Sequence, residues 1–366
     1  MLSRVWQNLN VETVPAARCA RLAPRWAALS RVAQEPSCMQ LPEMQLALLA
    51  HNNKAQVHTV THGDTLLLAL TSEPKRGYDR TAQADLTNCS LPLVSRDLPQ
   101  EAVAAFANGL SRPLLLKDLP TDGAFFQQLT QVAGHLQVIQ KWQRAALVVK
   151  GSFETWLDTN FDQKRRKELK RLRKRLSEQG QLKLETLSKT CDFNAFVDDF
   201  IQLEAQGWKG KRGTALNSQQ QQVATFRGIC EALHHSGRLR FWVMRLDGKP
   251  VAALFGIVAG SGAQIIKIAY DEAFAKFSPG VQIVLAATEA FFSEPGLETV
   301  DSCAIPDHPM INRIWRERLN MADVLIASPH YPAWIFGSVC ARLKLSGKLR
   351  RMAKVVFLTV MRRKKS

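Results

Sequence analysis

Apolar positions along the chain follow two periods, and the switch between them predicts the elements. Residues 55–71 contain VHTVTHGDTLLLAL, which reads as two strands around the turn His62-Gly63-Asp64. The Pro, Asn and Ser punctuation of 72–98 predicts irregular chain. EAVAAFANGL (101–110) predicts a helix that closes near Gly109 with a left-handed cap. Strands follow over 113–119 and 144–150, with a helix over 122–134 between them.

The second half begins with FDQKRRKELKRLRKRL (161–176), which sets Phe161, Leu169, Leu172 and Leu176 on one helical face. Strands are expected over 182–187 and 263–270, and a hairpin over 238–260 turns at Asp247-Gly248-Lys249-Pro250. Helices are expected over 192–206, 218–236, 281–292, 308–319 and from 332 to about 362, with strands at 298–304 and 322–328. Strands interleaved with helices indicate an α/β layered fold with a mixed sheet. THGDTLLLAL (61–70) and LDGKPVAALF (246–255) share a pattern of strand, glycine turn and apolar strand, which chance or a duplicated unit would produce.

Charge changes this picture in two places. The chain of 366 residues has a formal net charge of +17. Residues 162–175 contribute +7 and residues 342–366 contribute +10, so the rest is neutral on balance. This is not the charge distribution of a protein that coats nucleic acid. The longest near-apolar stretches run to about eleven residues, short of the roughly 20 that a bilayer span needs. The first residues, MLSRVWQNLN, lack the apolar run of a secretion signal. Seven scattered cysteines without a CxxC pair suit a reducing cytosol and predict neither a zinc site nor a redox dithiol. HExxH, GxSxG and GxxxxGK[ST] are absent, so zinc hydrolase, serine hydrolase and P-loop readings lack support.

The segment with the most chemistry is 263–292: a strand, KIAYDEAFAKFSPG and a helix. A helix N-terminus offers open N–H groups to a phosphate. Ser278 is placed to cap it, Pro279 fits its first turn, and Gly280 would let a ligand approach the backbone. The same residues also describe a plain loop before a well-capped helix.

Five stretches in order carry a family resemblance: KRRKELKRLRKRL (164–176), LEAQGWKGKRGTAL (203–216), LDGKPVAALFG (246–256), KIAYDEAFAKFSPG (267–280) and VDSCAIPDHPMINRIW (300–315). Together they resemble the CelD/BcsL-type branch of the GNAT N-acetyltransferases, associated with cellulose and exopolysaccharide biosynthesis and similar to the FemAB-like tandem GNAT architecture. The resemblance implies a degenerate GNAT-like domain at 1–150, a GNAT acyltransferase domain at 151–330 with its basic helix at 161–179, and a basic helical tail at 331–366.

It further implies a CoA-dependent acyltransferase, with acetyl-CoA or another acyl-CoA as co-substrate and no metal. Cofactor contacts would come from Ile268, Ala269, Lys276, Ser278, Gly280 and Val281. The usual phosphate loop of the family, Gln/Arg-x-x-Gly-x-Gly/Ala, is replaced here by a segment in which Pro279 removes one donor. Asp301 and His308 are the candidates for proton removal from the acceptor, and Tyr270 for proton return to the thiolate. Asp307-His308-Pro309 would equally serve as a capping turn. Trp208, Lys209, Asp271 and Glu272 are candidates for gripping an amine or hydroxyl acceptor, a small molecule or a glycan.

Two other functions fit the same stretches. One is a FemAB-like aminoacyl transferase that draws on charged tRNA, the only setting in which nucleic acid is expected. The other is a non-catalytic adaptor of a polysaccharide synthase complex. The expected location is cytoplasmic and peripheral at the inner face of the membrane, with the tail on anionic lipid.

Overall fold

The computed structural model describes residues 6, 8–33, 35–82, 89–207 and 220–363. The first half runs β1 (Leu9–Pro15), α1 (Ala23–Arg31), α2 (Pro42–Leu49), β2 (Gln56–His62), β3 (Thr65–Lys75), β4 (Tyr78–Thr81), β5 (Leu93–Val94), α3 (Gln100–Asn108), β6 (Leu114–Pro120), α4 (Ala124–Val132) and β7 (His135–Val148). The second opens with α5 (Phe153–Asn160) and α6 (Gln163–Ser177). It continues with β8 (Leu182–Thr186), α7 (Phe193–Gln206), α8 (Gln220–His235), β9 (Leu239–Leu246), β10 (Lys249–Ala259) and β11 (Gly262–Tyr270). A 3-10 turn (Glu272–Phe277), α9 (Pro279–Phe292), β12 (Thr299–Asp301), a second 3-10 turn (Ile311–Arg313), β13 (Glu317–Ala327) and α10 (Ala333–Arg363) complete it.

The strands join one mixed sheet in the order β1-β2-β3-β4-β6-β13-β7-β12-β11-β10-β9-β8, with β5 paired to β3 off this path. That order is a palindrome. In each half four strands run antiparallel, and the fourth pairs in parallel with the fifth, β4 with β6 and β11 with β12. Each half then lends its last strand to the other. β7 pairs with β12, β13 pairs with β6, and β7 and β13 pair with each other along most of their length. The repeated hairpin pattern of the sequence falls on β2–β3 and β9–β10, which are equivalent positions of this arrangement. A tandem GNAT-like fold is what the order of elements describes.

The halves are packed as one body. A single apolar core takes Trp26, Leu29 and Met44 from the first half and Phe200, Phe226 and Phe241 from the second, and α2 rests on α8. A second core lies under α5, α6 and α9 and includes Leu169, Leu176, Ile283 and Trp315. Leu169 and Leu176 are the buried positions of α6, whose charges face outward, and the Asp162 side chain caps that helix by accepting from Arg165 N–H at 2.6 Å. A third, smaller cluster packs Phe336, Val339 and Cys340 of α10 on Leu115 and Leu325.

The first copy is altered where the second stays open. β4 has four residues against nine in β11. After β4, Leu93 and Val94 pair with Ala69 and Leu68 of β3. The helix equivalent to α9 is α3, and it carries Glu101 in its first turn, a charge that repels an anion there.

Several local expectations change. The 72–98 stretch holds β4 and β5, and β3 itself continues to Lys75. The strand expected at 144–150 begins at His135, because the polar residues of 135–143 pair with β13 in the centre of the sheet. The helix expected at 308–319 is a short 3-10 turn, and β13 already starts at Glu317. Gly109 closes α3 at φ −76° and is not left-handed; an added Cβ would lie 2.7 Å from Val11 Cγ1, so close approach selects glycine.

Candidate active site

β11 carries Ile265, Ile266 and Ile268, β-branched residues that suit a strand, and it pairs with β10 along its whole length. Against β12 it pairs only over Gly262–Gln264. From Ile265 to Tyr270 no described strand lies on that side, so the two parallel strands part and leave a cleft.

The cause of the parting is Asp301. Its Oδ1 accepts from the Cys303 N–H at 2.8 Å, and Cys303 takes φ +50°. This Asx-type turn ends β12 after three residues and bends the chain away. The other oxygen is ion-paired with Arg144 of β7. Both side chains are buried. Burial by itself would lower the Arg144 pKa, but Asp301 beside it raises it above the ordinary value. Arg144 had no signal in the sequence beyond a charge at the start of the apolar run RAALVV.

His308 is half-buried near the end of the same loop. Its Nδ1 accepts from the N–H groups of Met310 and Ile311, both at 3.3 Å. Burial pushes its pKa below the usual histidine value. The ring is therefore neutral with its proton on Nε2, which leaves no open lone pair on either nitrogen. The geometry is that of the capping turn. Asp271 likewise caps the 3-10 turn by accepting from Ala273 N–H at 2.9 Å.

Ile268, Ala269, Tyr270 and Glu272 come together. With Leu203, Glu204 and Gly207 of the α7 end they line a cavity of ≈ 40 Å³ on one side of β11. Glu204 is ion-paired at 2.9 Å with Lys267, and both are buried. Neither was singled out from the sequence, although each lies inside a stretch that carried the resemblance. Trp208 and Lys209 follow Gly207 and lie outside the described residues.

At the cleft mouth, α9 begins at Pro279, as its sequence predicts. Ser278 is the N-cap by position, but it is left-handed (φ +54°) and its hydroxyl makes no capping bond. Its carbonyl oxygen accepts from Val281 N–H at 3.0 Å and Gln282 N–H at 3.2 Å. With no N–H on Pro279, the first turn has only Gly280 N–H left to offer an anion. Gly280 is buried, and a Cβ there would meet Tyr270 Cδ1 at 3.0 Å and Met310 Sδ at 3.4 Å, so the tyrosine ring lies on the glycine. Lys276 is exposed with its ammonium 4.9 Å from the Phe277 ring centre, and Val281 is half-buried on the second core. The parted strand fits an extended amide-bearing arm such as pantetheine. The helix start fits a single phosphate oxygen better than a diphosphate. Among the described residues no cluster of His, Cys, Asp and Glu could hold a metal ion.

Residues 163–308 match the family described as Acetyltransferase (GNAT) domain. No curated protein matches the chain. Among solved structures the chain is similar to FemX, with a TM-score of 0.56 and 12% identity over 83% of this chain and 95% of that one. It is similar to L-PGS from Bacillus licheniformis, with a TM-score of 0.52 and 11% identity over 87% of this chain and 96% of that one. A conserved protein of unknown function from Bacteroides thetaiotaomicron VPI-5482 gives a TM-score of 0.54 at 9% identity, covering 87% of this chain and 100% of that one. Identities this low show a shared fold. Residues 163–308 thus resemble a GNAT acetyltransferase domain, set in a longer fold that is similar to that of FemX.

Proposed function

We propose that the protein transfers an acyl group from an acyl-CoA thioester to an amine or hydroxyl, and that acetyl-CoA is the donor. The parting of β11 from β12 beside the start of α9 is the observation that carries this reading. In it the pantetheine arm runs along Ile265–Tyr270 and supplies most of the affinity. The acceptor nitrogen or oxygen attacks the thioester carbonyl carbon. Its proton passes to a carboxylate of the cavity wall, Glu272. The carbon–sulfur bond breaks, and the thiolate takes a proton from the Tyr270 hydroxyl at the mouth. Asp301 acts through position, by holding the cleft open. A glycan or a small precursor of an extracellular polysaccharide is the acceptor in this reading.

Thermal shift with acetyl-CoA and longer acyl-CoAs tests it. A concentration-dependent rise in Tm is expected, and folded protein that none of them stabilises would overturn the proposal.

One observation favours a second donor. α6 packs on the 3-10 turn at the cleft mouth, and Lys164, Arg165, Lys167, Lys170, Arg173, Lys174 and Arg175 are exposed without an acidic partner among the described residues. An aminoacyl ester on tRNA would satisfy those cations. Salt-sensitive binding of aminoacyl-tRNA without any response to acyl-CoA would select it.

A further inference from the structure

α10 has two faces with different surroundings. Phe336, Val339 and Cys340 pack on the sheet, with Leu343 at their edge. The opposite face exposes Trp334 at 78%, Leu345 at 59%, Leu349 at 57% and Met352 at 65%. At about 100° per residue these four positions fall within roughly 60° of arc. Arg342, Lys344 and Lys348 flank that stripe on its two sides, all exposed. The segment 342–366 holds ten basic residues and no acidic one. No described helix is long and apolar enough to cross a membrane.

A stripe of large apolar side chains facing water loses free energy at about 25 cal/mol per Å² until something covers it. What covers it must be apolar along the centre and anionic along both margins. A second copy of α10 would bring Lys344 and Lys348 against their own like, which is repulsive. RNA would answer the cations and leave the tryptophan, leucines and methionine wet. A bilayer interface with acidic headgroups answers both, with acyl chains under the stripe and phosphates beside the lysines.

We propose that α10 is an interfacial helix that docks the protein on an anionic lipid bilayer, with Trp334, Leu345, Leu349 and Met352 inserted below the headgroups. Its packed face stays on the sheet through Phe336 and Val339, so docking fixes the orientation of the whole body. This does not depend on which acyl donor the cleft takes.

The test is co-sedimentation of the full chain with vesicles of phosphatidylcholine alone or of phosphatidylcholine with phosphatidylglycerol. Binding to the phosphatidylglycerol vesicles and not to the neutral ones is expected. The triple variant Leu345→Ser, Leu349→Ser, Met352→Ser should bind them about tenfold more weakly or worse, with unchanged circular dichroism, because all three side chains face water. Lys344→Glu with Lys348→Glu should weaken binding as well. Three results would overturn the proposal: no sedimentation with phosphatidylglycerol vesicles, triple-variant binding equal to wild type, or a lipid-free dimer that the triple variant dissolves.

Discussion

Arg144 of β7 and Asp301 of β12 form a buried ion pair between strands of opposite halves. Replacing one partner leaves the other as a buried, unpaired charge. Asp301→Asn should therefore cost about 3–5 kcal/mol of stability, read by urea unfolding. The exchange Arg144→Met with Asp301→Leu should cost less than Asp301→Asn alone. A folded, fully stable Asp301→Asn protein with lost turnover would instead make Asp301 the proton acceptor.

His58 predicts the acid behaviour of the first half. Its ring is buried between Ser72 Oγ at 2.8 Å and Thr13 Oγ1 at 3.2 Å, and burial lowers its pKa from 6.5 to about 4. The folded state thus holds the ring neutral while the unfolded chain takes up a proton as pH falls through 6.5. The stabilisation is complete above that pH and is lost toward pH 4, by about 3 kcal/mol at most. His58→Gln should flatten this part of the stability profile.

Gly280 controls the cleft mouth through Tyr270. Gly280→Ala places a methyl 3.0 Å from the Tyr270 ring and must push it aside. The expected result is a KM for the acyl donor raised about tenfold by a misplaced mouth, with little change in Tm. Tyr270→Ala combined with Gly280→Ala should restore donor binding and lower kcat, because the proton donor is gone. Equal donor affinity in wild type and Gly280→Ala would place the donor elsewhere.

The exchanged strands forbid independent halves. Cleavage between residues 150 and 151 leaves β7 with the first fragment, while β12 and β13, its two neighbours, stay with the second. Neither fragment should unfold cooperatively alone, and mixing the two should restore one transition in calorimetry. Cooperative unfolding of either fragment would contradict the arrangement.

Much of the fold was legible because local signals carried it. The Asp247-Gly248 hairpin, the α6 stripe of Leu169 and Leu176, and Pro279 at the start of α9 are all written within a few residues. The long-range features were not. Arg144 and Asp301 are 157 positions apart, and no local pattern pairs a charge in one apolar strand with a charge in another. The polar N-terminal part of β7 is strand only because β13 lies beside it, so HLQVIQKWQ carries no strand signal of its own. The same holds in the cleft. Ile268, Ala269, Tyr270 and Glu272 were adjacent in sequence and stayed together. Glu204 and Lys267 meet across a helix and a strand. Asp301 and His308 were chosen for chemical type, and tertiary hydrogen bonds decided what those types do.

The exchange of terminal strands also sets an order in time on the ribosome. β6 and β7 emerge with the first half, yet their shared neighbour β13 ends at Ala327. From Val148 to Ala327, nearly half the length of the chain, two central strand edges wait unpaired, one of them apolar through Leu114, Leu115 and Leu116. The nascent protein is then a template for wrong pairing, including pairing with a neighbouring nascent copy. Its yield in the cell is governed by how well those edges are shielded until synthesis passes residue 327, more than by the stability of the finished sheet.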